Sequence, residues 1–160
     1  MKFGRWLVLG IVAAIALAID QLVKFTVLDK LSQTGEFYWL NIFNIRFFPN
    51  EGVAFGIPLK GPWLVTFLIV VFVILLSLYL KYLRQDKLIS VIALGLVLGG
   101  AVGNIADRIQ LGFVVDYVGI WILPVFNLAD IFIILGVLLM IWRIMVLDHH
   151  NAQDPVLPEE

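Results

Sequence analysis

No cysteine occurs in the 160-residue chain, which excludes disulfides, thiolate metal sites and a cysteine nucleophile, and leaves the redox compartment unread. Histidine is almost as scarce. Only His149 and His150 are present, side by side in a polar tail, where such a pair is ordinarily solvated surface rather than a metal site. Charged residues make up 14% of the chain, well short of the about 25% of ordinary globular domains. With a net charge of −1 and no basic cluster interleaved with aromatics, a nucleic-acid-binding surface is excluded as well.

What fills the chain instead is apolar: hydrophobic residues are 62% of it and the mean hydropathy is +1.02, a surplus that needs lipid as its solvent. Four runs, Trp6–Val27, Trp63–Leu83, Leu88–Ala106 and Val125–Leu147, each approach the ~20 residues that cross the hydrocarbon core as a helix. The expected class is an all-α membrane protein with four transmembrane helices, forming one domain over residues 1–148. The first run follows Lys2 and Arg5 but lacks a small-x-small cleavage pattern, so it is expected to be retained rather than removed as a signal peptide. Lys81, Arg84 and Lys87 crowd the connection between the second and third runs, which with Lys2 and Arg5 puts both termini on the cytoplasmic side. The tail 149–160, with Pro155, Pro158 and two terminal glutamates, is expected to be disordered there.

Depth then becomes informative. At about 1.5 Å per helical residue, Asp20 lies roughly 21 Å along the first helix from Trp6, toward its outer end. Asn104 and Asp107 close the third helix on the same side, and Asn127 and Asp130 open the fourth. Helices running in alternating directions thus bring their polar groups to one level, which spanning a membrane does not require. Each ionisable group among them costs at least about 2.5–3.5 kcal/mol in hydrocarbon, so convergence points to a site or a watery cavity. The second helix, with only Thr66 and Ser77, reads as a packing element. Gly95, Gly99 and Gly103 of the third form a small-residue stripe that admits a close neighbour.

Outside the membrane, Phe37–Phe48 is rich in β-formers and aromatics, Pro49–Gly52 reads as a turn and Val53–Gly56 as a second short strand, giving a small β platform over about 37–58. Its aromatics suit either anchoring in the headgroups or direct contact with a substrate.

Histidine and cysteine are absent from all four spans, and no Ser-Lys pair sits at the shared depth, because Ser77 and Ser90 lie toward the inner side. No His-Glu-x-x-His pattern exists, so metal hydrolysis is disfavoured and neither metal nor cofactor is expected. Carboxylates remain. Two aspartates in one partly buried site can share a proton, leaving one as base and the other as acid, with water as nucleophile. The best placed pair is Asp116, in an outer loop around Phe113–Tyr117, and Asp130, near the start of the fourth helix. Asp107 competes, but with Arg108 beside it it reads rather as a paired structural acid. Asp20 and Lys24, four apart on one helical face, could simply neutralise each other. Asn104/Asp107 and Asn127/Asp130 stand at i,i+3, so that each amide could orient a carboxylate or bind substrate backbone.

Five motifs occur in order: Asp20-Gln-x-x-Lys24, Asn50-x-Gly-x-Ala-Phe-Gly56, Gly103-Asn-x-x-Asp-Arg108, Val114-Val-Asp-Tyr117 and Phe126-Asn-x-Ala-Asp130. With these the chain resembles the bacterial lipoprotein signal peptidases, also called type II signal peptidases, over nearly its whole length. The resemblance implies a four-helix aspartic endopeptidase of the inner membrane with a small extracytoplasmic β-cradle. Such an enzyme cuts diacylglyceryl-modified prolipoproteins just before the lipidated cysteine. It implies Asp116 and Asp130 as the catalytic pair, Asn50, Asn104, Arg108 and Asn127 as residues that line or order the site, and Asp20, Lys24, Asp107, Gly52 and Phe55 as its support. The implied partners are the lipid-modified prolipoprotein and membrane lipid, with no nucleic acid; the sequence does not set the oligomeric state, and a monomer is the expectation. Read from the residues alone, a small transporter or proton-relay subunit, or a non-enzymatic lipid-binding factor, would also place aspartates in a membrane.

Overall fold

The computed structural model describes residues 3–34, 37–39, 43–52, 70, 73, 77, 88–120 and 123–153. In chain order these form helix α1 (Phe3–Thr34), strands β1 (Phe37–Trp39) and β2 (Phe43–Asn50), helix α2 (Leu88–Leu111), strands β3 (Val114–Ile120) and β4 (Leu123–Phe126), and helix α3 (Leu128–Gln153). Three stretches are long and apolar enough to cross a membrane: Phe3–Leu31, Leu88–Leu111 and Leu128–Met145. They correspond to the first, third and fourth predicted runs. Most of the second, Trp63–Leu83, lies outside the described residues; Val70, Val73 and Ser77 within it are helical, and the Ser77 hydroxyl donates to the Val73 carbonyl at 2.7 Å.

α2 is the central helix, and glycine is the reason it can be. A Cβ added at Gly99 would stand 2.6 Å from the Ala13 carbonyl oxygen and 2.7 Å from Ala16 Cβ, and one at Gly95 would meet Val12 at 2.8 Å. The Gly95/Gly99/Gly103 stripe therefore lies directly on α1, with numbers rising together along both helices, so the two run parallel. On its other side, α2 brings Gly100 against Ala129, while Gly136 of α3 sits against Ala93 and Val97, an antiparallel pairing. Without a hydrophobic drive inside lipid, such close backbone approach is what dispersion needs to hold helices together. The outward faces stay apolar: Ile11, Ile15 and Leu22 of α1 and Ile134, Leu138 and Ile141 of α3 are exposed.

α1 is longer than the expected 6–27 span. Its 32 residues measure about 48 Å, more than the about 30 Å of hydrocarbon a span must cross, and its C-terminal turns reach the sheet. There Val27 and Leu31 pack with Val115 and Tyr117 of β3, and Val23, Phe47, Phe113 and Leu128 close around them.

The four strands form one antiparallel sheet in the order β1-β2-β3-β4. β1 and β2 make a hairpin inside the aromatic segment, Phe37 opposite Ile45 and Trp39 opposite Phe43, whereas the expected hairpin joined that segment to Val53–Gly56. Three expectations are corrected. β2's other neighbour is β3, with Phe48 opposite Asp116 and Asn50 opposite Val114, so Asp116 sits on a strand and not in a loop. The β-branched run Val114, Val115, Val118 and Ile120 favours that geometry once α2 has been stopped by Gly112 at φ 83°, whose N–H caps the Arg108 carbonyl at 3.1 Å. The last helix begins at Leu128 rather than Val125, because Leu123–Phe126 is used as β4. It then runs on to Gln153, into the tail expected to be disordered. Val53–Gly56 lies outside the described residues.

The glycine contacts carry a test. Gly99→Ala should lower unfolding stability in detergent by about 1–3 kcal/mol, the usual range for forced overpacking. Gly10→Ala, where an added Cβ meets nothing within 4 Å, should leave the thermal midpoint unchanged.

Candidate active site

The start of α3 is an N-terminus with every donor taken. Its four leading N–H groups would be orphaned in any helix. Here Leu128 N donates to the Tyr117 hydroxyl at 3.1 Å, Ala129 N to Asp20 Oδ1 at 2.9 Å and Asp130 N to Asn127 Oδ1 at 3.0 Å, the fourth being the N–H of Asn127 itself, while Ile131 N makes the first intrahelical bond, to the Asn127 carbonyl at 3.4 Å. Asn127 is thus the N-cap. Asp130 answers from three residues on, its Oδ2 accepting the Asn127 N–H at 3.1 Å, which makes a reciprocal capping box. The same Asn127 turns its amide outward: Nδ2 donates to Asp116 Oδ1 at 2.6 Å and to Asn104 Oδ1 at 3.1 Å. One residue therefore holds Asp130 with its backbone and Asp116 with its side chain.

Asn104 supplies the second hold on Asp130, Nδ2 to Oδ1 at 2.9 Å. Asn50, at the end of β2, supplies the second hold on Asp116, Nδ2 to Oδ2 at 2.8 Å, while its own Oδ1 accepts the Gly52 N–H at 3.1 Å. That turn starts at Asn50, since Pro49 and Asn50 still belong to the strand. All four oxygens of the two aspartates are engaged by N–H donors, and among the described residues no group of His, Asp or Glu has metal-ligand spacing.

Beneath lies an ion cluster. Lys24 Nζ is 2.8 Å from Asp20 Oδ2, 2.9 Å from Asp107 Oδ2 and 2.8 Å from Asn104 Oδ1, and Lys24, Asp20 and Asp107 are all buried. Among the described residues Asp107 forms its ion pair with Lys24, not with its neighbour Arg108. It also accepts from Val115 N at 3.1 Å, which ties β3 to α2. Arg108 donates to the Asn104 carbonyl at 3.1 Å and lies within electrostatic reach of Asp116 and Asp130.

Burial pushes the Asp116 carboxyl up to about 6; the amides of Asn50 and Asn127 oppose that rise and the neighbouring Asp130 adds to it. Burial likewise pushes the Tyr117 phenol up, so it stays protonated at any physiological pH. Asp116 is 1% exposed, whereas Asp130 and Arg108 are only half-buried, so the cluster opens on their side.

Of the residues expected at the site, Asp20, Lys24, Asn50, Asn104, Asp107, Arg108, Asp116, Asn127 and Asp130 are joined in this one network; Gly52 touches it through Asn50, and Phe55 lies outside the described residues. Two members were not singled out. Gln21 Nε2 donates to Asp107 Oδ1 at 2.9 Å and to the Gly103 carbonyl at 3.3 Å, and Tyr117 caps Leu128. Each follows or accompanies a chosen aspartate within an ordered motif, which was the available signal.

The family model described as signal peptidase (SPase) II matches residues 12–146. The chain belongs to the signal peptidase II family. The lipoprotein signal peptidase of Moorella thermoacetica is 35% identical over 152 residues, covering 91% of this chain and 97% of that protein. That of Halothermothrix orenii is 38% identical over 132 residues, covering 82% and 90%. Two solved bacterial membrane enzymes, determined by the in meso method at 1.9 and 2.3 Å, superpose with TM-scores of 0.71 and 0.72 at 28% and 26% identity, covering 90% and 100% of this chain and 94% and 97% of theirs. This signal peptidase II family member is thus a membrane peptidase of the aspartic class, and its ordered motifs converge at one end of its helices.

Two outcomes follow. Lys24→Met strips the ammonium from two buried carboxylates and should cost about 3–5 kcal/mol of stability. The loss should be partly recovered in Lys24→Met/Asp107→Asn, read as unfolding midpoints in detergent. Asp116 binds its proton more tightly folded than unfolded, where the ordinary value is 3.8, so its contribution to stability is complete below about pH 4 and is lost as pH rises through about 6. Unfolding of Asp116→Asn, whatever its offset, should therefore gain on the parent by up to about 3 kcal/mol across that window and run parallel above it.

Proposed function

We propose that this peptidase removes the signal peptide from diacylglyceryl-modified prolipoproteins by cleaving before the lipidated cysteine, with Asp116 and Asp130 activating water. The observation that carries the reading is Asn127, which holds one carboxylate by its backbone N–H and the other by its amide, at the half-open end of a buried polar cluster. The names of the relatives supply the substrate class: the matched proteins of Moorella thermoacetica and Halothermothrix orenii are lipoprotein signal peptidases.

In this mechanism Asp116, whose carboxyl is pushed up to about 6, holds the shared proton, and Asp130, on the open side, is the base. Asp130 takes a proton from water as the water oxygen attacks the scissile carbonyl carbon, and Asp116 gives its proton to the carbonyl oxygen. The tetrahedral diol then collapses: one hydroxyl proton returns to Asp116, the proton on Asp130 passes to the amine, and the C–N bond breaks. Asn50, Asn104 and Asn127 keep both carboxyls in register. Arg108 is placed to meet substrate carbonyls, and Asp20, Lys24, Asp107, Gly52 and Phe55 support the arrangement.

The proposed architecture has four spans, with Trp63–Leu83 as the return crossing that parallel α1 and α2 require. Both termini then face the cytoplasm and the site lies near the outer face of a bacterial inner membrane. Exposed Ile45 and Phe48 on the sheet, the latter across from Asp116 with Arg46 stacked 5.8 Å over its ring, offer apolar surface to acyl chains. Each buried CH₂ contributes about 0.8 kcal/mol, so two acyl chains can set the depth of the scissile bond.

Asp116→Asn and Asp130→Asn should each abolish cleavage of a lipidated precursor while the protein still inserts and purifies; substantial activity in either would sink the pair. In the same assay chelator should leave the rate unchanged. Matched peptides without the diacylglyceryl group should lose turnover as well as binding, since anchoring energy also serves positioning.

A further inference from the structure

At the other end of the bundle α3 carries a buried charge. Arg143 stands thirteen residues beyond Asp130 on α3, about 20 Å along the axis, and still within the Leu128–Met145 span. It is 3% exposed, yet among the described residues its Nε and Nη2 find no acceptor. The contrast with Lys24, whose ammonium has three oxygens around it, is the unusual feature.

Packing places the side chain between helices. Gly136 lies on Ala93 and Val97, and Met140 packs against Leu9, Val91 and Leu94. Arg143 is seven residues past Gly136 and three past Met140, so it continues that face toward the ends where α1 and α2 begin. Around this level Trp6, Leu88, Trp142 and Met145 are exposed, two of them tryptophans of the kind that settle at the headgroup boundary.

A guanidinium whose Nε and Nη2 lack an acceptor among the described residues inside a span reaches for the nearest interface, and the acceptors there are headgroup phosphates. The planar fork of arginine matches two phosphate oxygens at once. Basic pockets between transmembrane helices hold anionic headgroups in this way. The apolar rim of Trp6, Leu88, Trp142 and Met145 favours a lipid, whose chains can lie along it, over a free phosphate ion.

We propose that Arg143 binds the headgroup phosphate of one anionic phospholipid in the leaflet opposite the Asp116/Asp130 cluster. The lipid supplies the acceptors that the described part of the chain does not and ties that end of α3 to its leaflet. The site is independent of the catalytic reading.

The test is native mass spectrometry of the full-length protein released from vesicles of equal phosphatidylglycerol and phosphatidylcholine. The parent should retain one phosphatidylglycerol in preference to phosphatidylcholine, with a preference on the order of tenfold lower in Arg143→Gln and intermediate in Arg143→Lys. Circular dichroism of each variant reports that the helices are kept. Equal retention of the two lipids by the parent, or an undiminished preference in a helical Arg143→Gln, overturns the proposal. Should Arg143→Gln not purify, the parent decides alone: phosphatidylglycerol should raise its thermal midpoint where phosphatidylcholine does not. Inorganic phosphate raising the midpoint as far as phosphatidylglycerol would overturn the assignment to a lipid.

Discussion

Everything at the polar end of this protein depends on one ammonium group. Lys24 has three N–H donors and spends them on Asp20, Asp107 and Asn104, so α1 is joined to α2 by contacts that cannot be exchanged for water. Each acid then uses a remaining lone pair to reach a further element: Asp20 takes the Ala129 N–H of α3, and Asp107 takes the Val115 N–H of β3. A buried pair of this sort adds little net stability when set against an apolar replacement, because desolvation offsets the attraction. What it supplies is a single arrangement, since any slip between the elements leaves a charge unpaired in a medium that cannot hydrate it.

The proposed carboxylate pair is built on top of that arrangement from the same parts that end a helix. The first turn of α3 must have its N–H groups answered, and the answers come from Tyr117 on β3, Asp20 on α1 and Asn127 itself. Capping and chemistry therefore share residues. Asp130 is both the third residue of a capping box and half of the pair, and its geometry is held by a hydrogen bond that the helix needs anyway. The positive end of the helix dipole lies beside it, which favours negative charge there. Asp116 receives only side-chain amides in a more buried place, and burial raises its carboxyl to about 6. Two chemically identical groups are set apart by what surrounds them.

The elements differed in how much of them could be read in advance. Asp20, Asn104, Asp107, Asn127 and Asp130 were legible because they are costly: a polar residue in an apolar run is visible without any structure, and a regular rise of about 1.5 Å per residue converts its number into a depth. The glycine stripe was legible for the related reason that repetition every four residues marks one face of a helix. Asp116 was visible as a candidate but misplaced in a loop. A strand is stabilised by a partner, and its partner Phe48–Asn50 is more than sixty residues away, a pairing that no local pattern encodes. The start of α3 was misjudged by three residues because Val125 and Phe126 are as apolar as the helix that follows. The division is made by β4 pairing with β3 and by the Asn127 cap.

The sequence by itself determined the solvent, the number and period of the apolar runs, the absence of thiol and imidazole chemistry, and, through five ordered motifs, the family. Those properties are local, carried by side-chain type and spacing. Only the tertiary structure decided that Asp107 pairs with Lys24 instead of Arg108, that Gln21 and Tyr117 belong to the network, and that one asparagine bridges the two aspartates. Hydrogen bonds act only over about 3 Å, and which groups come that close depends on how helices far apart in the chain cross, not on how their residues are ordered along it.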